Sequence, residues 1–175
     1  CAVASGAVTC WGDNLQGQLG DTSTTDRPIP VVTNASAGSA LLGRTVTDVS
    51  AGFDHVCARS SDGSLACWGS NGSQQAFPSA TLKKTAVPTL VDQGALAGRQ
   101  VTQVSAGREF TCAVASGSVV CWGANDVAQM ANGPASNTPQ AIPALATTAS
   151  PSALAGKTLT MVSSGAAHAA KRRCG

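Results

Sequence analysis

The chain has 175 residues, of which 11% are charged and 3% aromatic, and its formal net charge is +2. This length suits one compact domain, and so small a charge excludes an obvious electrostatic footprint for nucleic acid or an acidic membrane. No apolar run is long enough to span a bilayer, and no signal peptide is recognisable. Because the first residue is Cys rather than Met, we expect a mature piece or a fragment of a longer chain.

The chain opens with CAVASGAVTCWG, and two variants of this stretch follow. CARSSDGSLACWG runs from Cys57 to Gly69, and CAVASGSVVCWG from Cys112 to Gly123. Related phrases precede the later copies, VTDVSAG and VTQVSAG, and a further version, LTMVSSG, begins at Leu159. Repetition at intervals of about 55 residues is the signature of a repeat architecture.

Each unit has the pattern of short β-strands. TVTDVSAG alternates apolar and polar residues, CAVASGAVTCW indicates strand, turn and strand, and RPIPVV, AVPTLV and AIPAL each add a short strand. Four short strands per period predict an all-β fold of propeller blades, each a four-stranded antiparallel sheet. We expect a single repeat domain with units at approximately 1–44, 45–99 and 100–156, and 157–175 starting or completing a further blade.

The cysteines are spaced as opposite residues of a tight hairpin. With Ser5-Gly6 as a two-residue loop, Cys1 falls opposite Cys10, at a Cα separation of roughly 4.5 Å, within reach of a disulfide. The same count places Cys112 opposite Cys121. One disulfide within each hairpin is therefore predicted.

The middle copy tests this register, because it carries one residue more. A three-residue loop ending at Gly63 restores Cys57 opposite Cys67, and such loops favour Gly at their end. Zinc is the competing interpretation, but the spacing is too long for a zinc pair and only two His are available. Three disulfides predict an oxidising compartment, so we expect an extracellular, periplasmic or cell-surface protein.

The stretch CWGDNLQGQLGD resembles the repeat of the regulator of chromosome condensation family. The matching residues are Trp11-Gly12, Asn14 and Gly17–Gly20, and the VSAG phrase belongs to the same pattern. The later units keep only Trp, Gly and Asn. The resemblance implies a β-propeller, here in a disulfide-bearing, bacterial and extracellular variant. The nuclear roles of the family are not carried over, because disulfides fit the nucleus badly.

Three units fall short of a closed ring, since propellers have about four blades or more. Either the chain belongs to a longer propeller, or copies associate to complete one. The strand at Leu159–Ser163 is the one that the first unit lacks, so we expect it to begin a fourth blade or to join the blade that contains Cys1. Cys174 has no local partner; it either pairs between chains or marks an altered terminus.

No group of residues indicates catalysis or a metal site. His55 follows Asp54, but no nucleophile motif accompanies the pair, and Phe110 and His168 occupy the same repeat position as His55. GDNLQGQLGD lacks the spacing of a calcium loop and favours Asx turns. No cofactor is expected.

Other short motifs carry little weight. KKT at Lys83 and KRR at Lys171 are too short to indicate nucleic-acid binding. The glycosylation pattern at Asn34 and Asn71 arises easily in a chain so rich in small residues. Each Trp follows a disulfide Cys and points to the opposite face of its strand, which predicts packing between adjacent blades.

The repeats share strands but differ in their connecting segments, which is how propellers build recognition surfaces. We therefore expect a non-enzymatic binding or adhesion module that meets a protein or glycan partner. A self-assembling surface or fibre component is the alternative, and a hydrolase or lyase on a propeller scaffold comes third. The candidate contact residues in the variable loops are Asp21, Arg27, Phe77, Lys83, Lys84, Met130 and Asn137.

Overall fold

A computed structural model describes residues 1–33, 35, 37–79, 81–146 and 153–166. In these ranges the chain forms β-strands and one short 3-10 turn, Gly94–Leu96. The strands are β1 (Ala2–Ala4), β2 (Ala7–Gly12), β3 (Arg27–Val32), β4 (Val46–Ala51), β5 (His55–Ser60), β6 (Leu65–Ser70), β7 (Lys84–Leu90), β8 (Val101–Ala106), β9 (Phe110–Ala115), β10 (Ser118–Asn125) and β11 (Ser136–Leu145).

The strands form three antiparallel sheets, which we call blades 1 to 3. Blade 1 has the order β1-β2-β3, blade 2 the order β4-β5-β6-β7, and blade 3 the order β8-β9-β10-β11. Each blade falls inside one of the predicted units, and the all-β prediction is confirmed. Among the described residues, no helix is long and apolar enough to cross a membrane.

The hairpin loops set the strand register. Ala4 pairs with Ala7 around the first two-residue loop. In the longer middle hairpin Arg59 pairs with Leu65, and Gly63 takes the positive φ of 77° that the end of a three-residue loop needs. The structure accordingly has its disulfides within hairpins, with Cα atoms 4.0 to 4.1 Å apart, at Cys1–Cys10, Cys57–Cys67 and Cys112–Cys121.

Every blade has two different faces, because successive residues on a strand point to opposite sides. We call them the disulfide face and the Trp face. The disulfide face of blade 1 packs on the Trp face of blade 2 in one buried cluster that includes Val8, Cys10, Leu19, Val56, Ala58, Ala66 and Trp68. The disulfide face of blade 2 meets the Trp face of blade 3 in a second cluster that includes Cys57, Leu65, Cys67, Phe77, Ala113, Val120 and Trp122.

The Trp side chains occupy the contacts between blades. Trp68 is fully buried, and its indole N–H donates to the carbonyl oxygen of Gln18 at 2.9 Å. Gly20 makes this approach feasible, because a Cβ there would lie 2.7 Å from the indole nitrogen. Trp122 is also fully buried, so the predicted packing between blades is confirmed for both. Trp11, at the same position in blade 1, is 48% exposed.

The segment Leu159–Ser163 lies beside blade 3. The Leu159 amide donates to the carbonyl oxygen of Gly117, in the third hairpin loop, at 2.9 Å. Val46 and Val101, the first residues of β4 and β8, make the same bond to the hairpin loops before them. The segment thus takes the position of the first strand of a further blade. His168 and Cys174, and the interpretations attached to them, lie outside the described residues.

His55 connects blade 2 to blade 3. Its side chain is buried, and Nε2 lies 2.8 Å from the hydroxyl oxygen of Thr111. Because that hydroxyl donates to the carbonyl oxygen of Gln75 at 2.8 Å, it accepts the proton on Nε2. Nδ1 has no hydrogen-bond partner among the described residues. Burial lowers the pKa of His55 to about 4.

This lowered pKa makes stability depend on pH. The neutral ring stabilises the fold fully above pH 6.5, the ordinary pKa of His, and this stability is lost as the pH falls toward 4. His55→Gln keeps a donor for Thr111 but cannot titrate. From pH 7 to pH 5 we expect the free energy of unfolding of the wild type to fall by about 1–2 kcal/mol more than that of the variant. Urea denaturation at both pH values measures this, and equal falls would contradict the assignment.

The hairpin disulfides are the second stability prediction. Replacing Cys57 and Cys67 together with Ala frees a loop of the unfolded chain, so we expect a loss of roughly 2–3 kcal/mol in the free energy of unfolding. Urea denaturation measures the loss, with Cys174→Ala as the control because that residue stands outside the hairpins. Peptide mapping without reductant should recover each link within one repeat. Links between different repeats would overturn the hairpin register.

Candidate binding surface

Two sets of loops meet at one end of the blades, which we call the upper face. In blade 2 the loop after the first strand contacts the end of the third strand, where the Ser70 amide donates to the carbonyl oxygen of Asp54 at 2.7 Å. In blade 3 the Ala124 amide donates to the carbonyl oxygen of Glu109 at 2.9 Å in the same way. The long variable loop of each blade follows directly, so this face collects the segments that differ most among repeats.

A buried Asn holds the long loop of blade 2 in shape. Asn71 Oδ1 accepts hydrogen bonds from the amides of Ala76 and Phe77, each at 3.1 Å. Its Nδ2 donates to the carbonyl oxygens of Ser79 and Leu82 at 3.2 and 2.9 Å. All polar atoms of this side chain are therefore satisfied by the loop backbone. A glycan on the side chain of Asn71 would require this loop to open.

Blades 1 and 3 each contain an equivalent buried Asn. Asn14 Oδ1 accepts the Leu19 amide at 3.0 Å, and Asn125 Oδ1 accepts the Met130 amide at 3.3 Å. Both side chains are buried. The Asn that the sequence repeats is thus a scaffold residue of the upper face, and the loop side chains around it are free to vary.

Two of the predicted contact residues are wrong, because their side chains belong to the core. Phe77 is 3% exposed and packs in the cluster that contains Trp122. Met130 is fully buried with Phe110 on the disulfide face of blade 3. Met130 stands at the repeat position of Leu19, which is also core, so the alignment of units held the signal for its burial.

Asp21 and Arg27 satisfy each other within the loop of blade 1, with an ion-pair distance of 2.8 Å. Partial burial raises the pKa of Asp21, but hydrogen bonds from Ser23, Arg27 and Asn14 outweigh it and lower this pKa to about 2. The pair therefore stiffens the loop and offers a partner little free charge.

The remaining predicted contact residues, Lys83, Lys84 and Asn137, are exposed. The Lys84 ammonium donates to the carbonyl oxygen of Leu15 at 3.0 Å and so joins the upper loops of blades 1 and 2. Lys83 precedes it at the end of the loop of blade 2, and Asn137 is the second residue of β11, the outer strand of blade 3. These residues remain candidates for contact with a partner.

The sequence interpretation missed an exposed aromatic side chain of the upper face. Phe53 is 69% exposed, and the guanidinium carbon of Arg108 lies 5.4 Å from its ring centroid. Both residues line an open groove of about 640 Å³, which also contacts Ser164. The sequence did hold a signal for this position. The phrase VSAG or VSSG recurs in each unit, but the residue that follows it changes, being Phe53, Arg108 or Ala166.

Carboxylate groups lie near this pair, and Glu109 Oε1 is 3.8 Å from Arg108 Nε. Desolvation raises the pKa of Asp54, and the negative charges of Asp13 and Glu109 raise it further, while Arg108 opposes them. The groups are therefore close enough for their charges to interact. Within the described ranges, no group of three His, Cys, Asp or Glu side chains is placed to hold a metal ion.

Blades stacked face to face by alternating disulfide and Trp faces define an arc of a β-propeller. The chain belongs to the regulator of chromosome condensation (RCC1) repeat family. Models of this repeat match residues 5–59, 46–75 and 101–129, which together exceed half of the chain. The family resemblance that the sequence indicated is confirmed.

Curated relatives are much longer than this chain. The probable E3 ubiquitin-protein ligase HERC4 of Mus musculus is 30% identical over 76% of this chain, which spans 12% of that protein. The ultraviolet-B receptor UVR8 of Arabidopsis thaliana is 32% identical over 97% of this chain, which spans 36% of it. The similarity thus concerns the repeats and leaves most of each relative unmatched.

Solved structures share the fold. Prp20p from Saccharomyces cerevisiae, described with its binding to Gsp1p and histones, has a TM-score of 0.77 at 19% identity, over 92% of this chain and 38% of that one. Human WBSCR16 has a TM-score of 0.66 at 24% identity, over 81% of this chain and 33% of that one. At these identities the likeness shows the propeller fold.

The Asn scaffold gives a prediction for the upper face. Asn71→Asp has almost the same shape but turns the donor toward Ser79 and Leu82 into an acceptor. We expect the free energy of unfolding at pH 7 to fall by about 2–4 kcal/mol, because a buried charge then faces carbonyl oxygens. Asn137→Asp, at an exposed site, is the matched control. Denaturant titration compares them, and similar small losses would show that the buried amide does not hold the loop.

Proposed function

We propose that this chain is a non-enzymatic, protein-binding arc of a propeller in an extracellular, periplasmic or cell-surface protein, with the upper face as its contact surface. The observation that carries the proposal is the exposed pair Phe53 and Arg108 on a loop scaffold fixed by buried Asn side chains. Aromatic and Arg side chains are enriched at the energetic centres of protein interfaces.

The repeat fold does not require Phe53. Arg108 and Ala166 occupy the same position in the following units, so a polar or small residue satisfies the turn equally well. An exposed Phe costs solubility. A partner that covers Phe53 would recover this apolar area, and the carboxylates of Asp54 and Glu109 would form a polar rim around it.

The relatives support binding as the general role. Prp20p is described by its binding to Gsp1p and histones, and another solved structure has Kap60 bound to yeast RCC1. The three hairpin disulfides support an oxidising location, since such bonds persist outside reducing compartments. His55 is buried and its Nε2 is hydrogen-bonded to Thr111 of the next blade, which supports a structural role for this ring.

The test compares two equally exposed apolar residues. Phe53 and Ile29 are each 69% exposed, but Ile29 lies on β3, away from the groove. Immobilised wild type, Phe53→Ala, Arg108→Ala and Ile29→Ala are exposed to surface and secreted proteins of the source organism, and retained proteins are quantified by mass spectrometry. We expect a protein retained by wild type and Ile29→Ala and reduced about tenfold by either groove substitution.

Two outcomes would contradict the proposal. Equal retention on all four chains would show that the upper face is not the contact surface. Retention lost after glycosidase treatment of the protein fraction would identify a glycan as the ligand instead. Circular dichroism of each variant confirms that the blades are intact before retention is compared.

A further inference from the structure

A cleft of about 300 Å³ opens between blades 2 and 3 at the end of the blades opposite the upper face, which we call the lower face. Its floor is apolar, because Leu65, Val91 and Leu96 belong to the buried cluster between these blades. Leu90 also lines the cleft and is 36% exposed. All lining residues fall between positions 44 and 101, so blade 2 and the segment that leads into blade 3 form the cleft by themselves.

Two arginines of this cleft stand at the same repeat position. Arg44 ends the phrase LLGR before blade 2, and Arg99 ends the phrase LAGR before blade 3. The guanidinium of Arg44 donates to the carboxylate of Asp62, and also to the hydroxyl oxygen of Ser64 at 2.8 Å. Asp62 is the middle residue of the three-residue hairpin loop of blade 2. An arginine at this position thus binds a carboxylate supplied by its own blade.

Arg99 lacks the equivalent carboxylate. The hairpin loop of blade 3 has only the two residues Ser116 and Gly117, so it has no counterpart of Asp62. Among the described residues, the side chain of Arg99 makes no hydrogen bond and no ion pair. This side chain is half-buried. Its planar set of N–H donors is therefore available to a carboxylate that enters the cleft.

The other charged residues of the cleft leave Arg99 as the group that an incoming ion would meet. They are Arg44, Asp62 and Asp92. Arg44 and Asp62 neutralise each other in an ion pair. Asp92 is exposed, so water and salt screen its charge. The half-buried guanidinium of Arg99 is less hydrated, and it lies beside the apolar floor.

We propose that this cleft binds an organic anion in which a carboxylate is joined to a short apolar tail. The carboxylate pairs with Arg99, as Asp62 pairs with Arg44, and the tail covers Leu90 and Leu96. The volume lies at the lower end of the range of small-molecule sites, about 300–1,000 Å³, which suits a tail of few carbon atoms. A free aliphatic acid and the C-terminus of a peptide that ends in an aliphatic residue share this chemistry. The cleft is remote from the upper face, so the proposal does not rest on protein binding there.

The test is an NMR titration of the ¹⁵N-labelled chain at pH 7 with hexanoate, hexanamide and hexylamine, which share a tail and differ in charge. We expect saturable amide shifts at positions 62–65 and 90–101 with hexanoate, and an affinity about tenfold above that for hexanamide. Hexylamine should give no saturable shift. N-acetylglycylleucine and its C-terminal amide repeat the comparison for a peptide terminus, and the acid that binds more tightly identifies the source of the carboxylate.

Variants separate the carboxylate from the tail. Arg99→Gln should lower the affinity for hexanoate about tenfold, to that for hexanamide, while Arg108→Gln on the upper face is the matched control and should change nothing. Leu90→Ala should weaken hexanoate and hexanamide by a similar factor, because both carry the tail. The amide spectrum of each variant shows whether the blades are intact.

Four results would overturn the proposal. They are the absence of a saturable shift with either acid, equal affinities for hexanoate and hexanamide, tighter binding of hexylamine than of hexanoate, and an unchanged affinity for hexanoate in a folded Arg99→Gln variant.

Discussion

The alternation of side chains along a strand is the constraint on which this structure depends. Cys and Trp stand next to each other in every repeat, so they must point to opposite faces of the blade. The hairpin loop sets the register that brings the two Cys together on one face, and the Trp side chain lies on the other face, where Trp68 and Trp122 pack against the preceding blade. Stacking the disulfide face of one blade on the Trp face of the next satisfies both requirements at each internal contact.

The same constraint explains why the outermost faces of the arc differ. Blade 1 shows its Trp face and blade 3 its disulfide face, so the two exposed surfaces are complementary rather than alike. This property comes from the polarity of the blade and does not depend on the loops.

The upper face follows a different rule. Its loops are long and unlike in sequence, but in each blade one buried Asn binds the loop backbone at both its oxygen and its nitrogen. Backbone groups that would otherwise be left without partners are satisfied by one side chain. Because the scaffold uses backbone atoms, the side chains of the loop can change without loss of the loop shape, which suits a surface under selection for binding.

The register of the hairpins was predictable because it depends only on local counting. One extra residue in the middle unit is matched by Gly63, and both cysteines return to opposite positions. The burial of Phe77 was not predictable in this way. Gly20 occupies its repeat position in blade 1, and the cavity that Phe77 fills exists only where blade 3 packs against blade 2.

The sequence by itself therefore determined the repeat, the strands, the stapled hairpins and the opposite orientation of Cys and Trp, since all of these follow from spacing along the chain. Tertiary structure alone decided the burial of Phe77, which Trp is covered and where Phe53 meets Arg108. These contacts join residues of different repeats. Their formation depends on how the blades stack. The spacing of residues within one repeat does not encode the distance between residues of neighbouring blades.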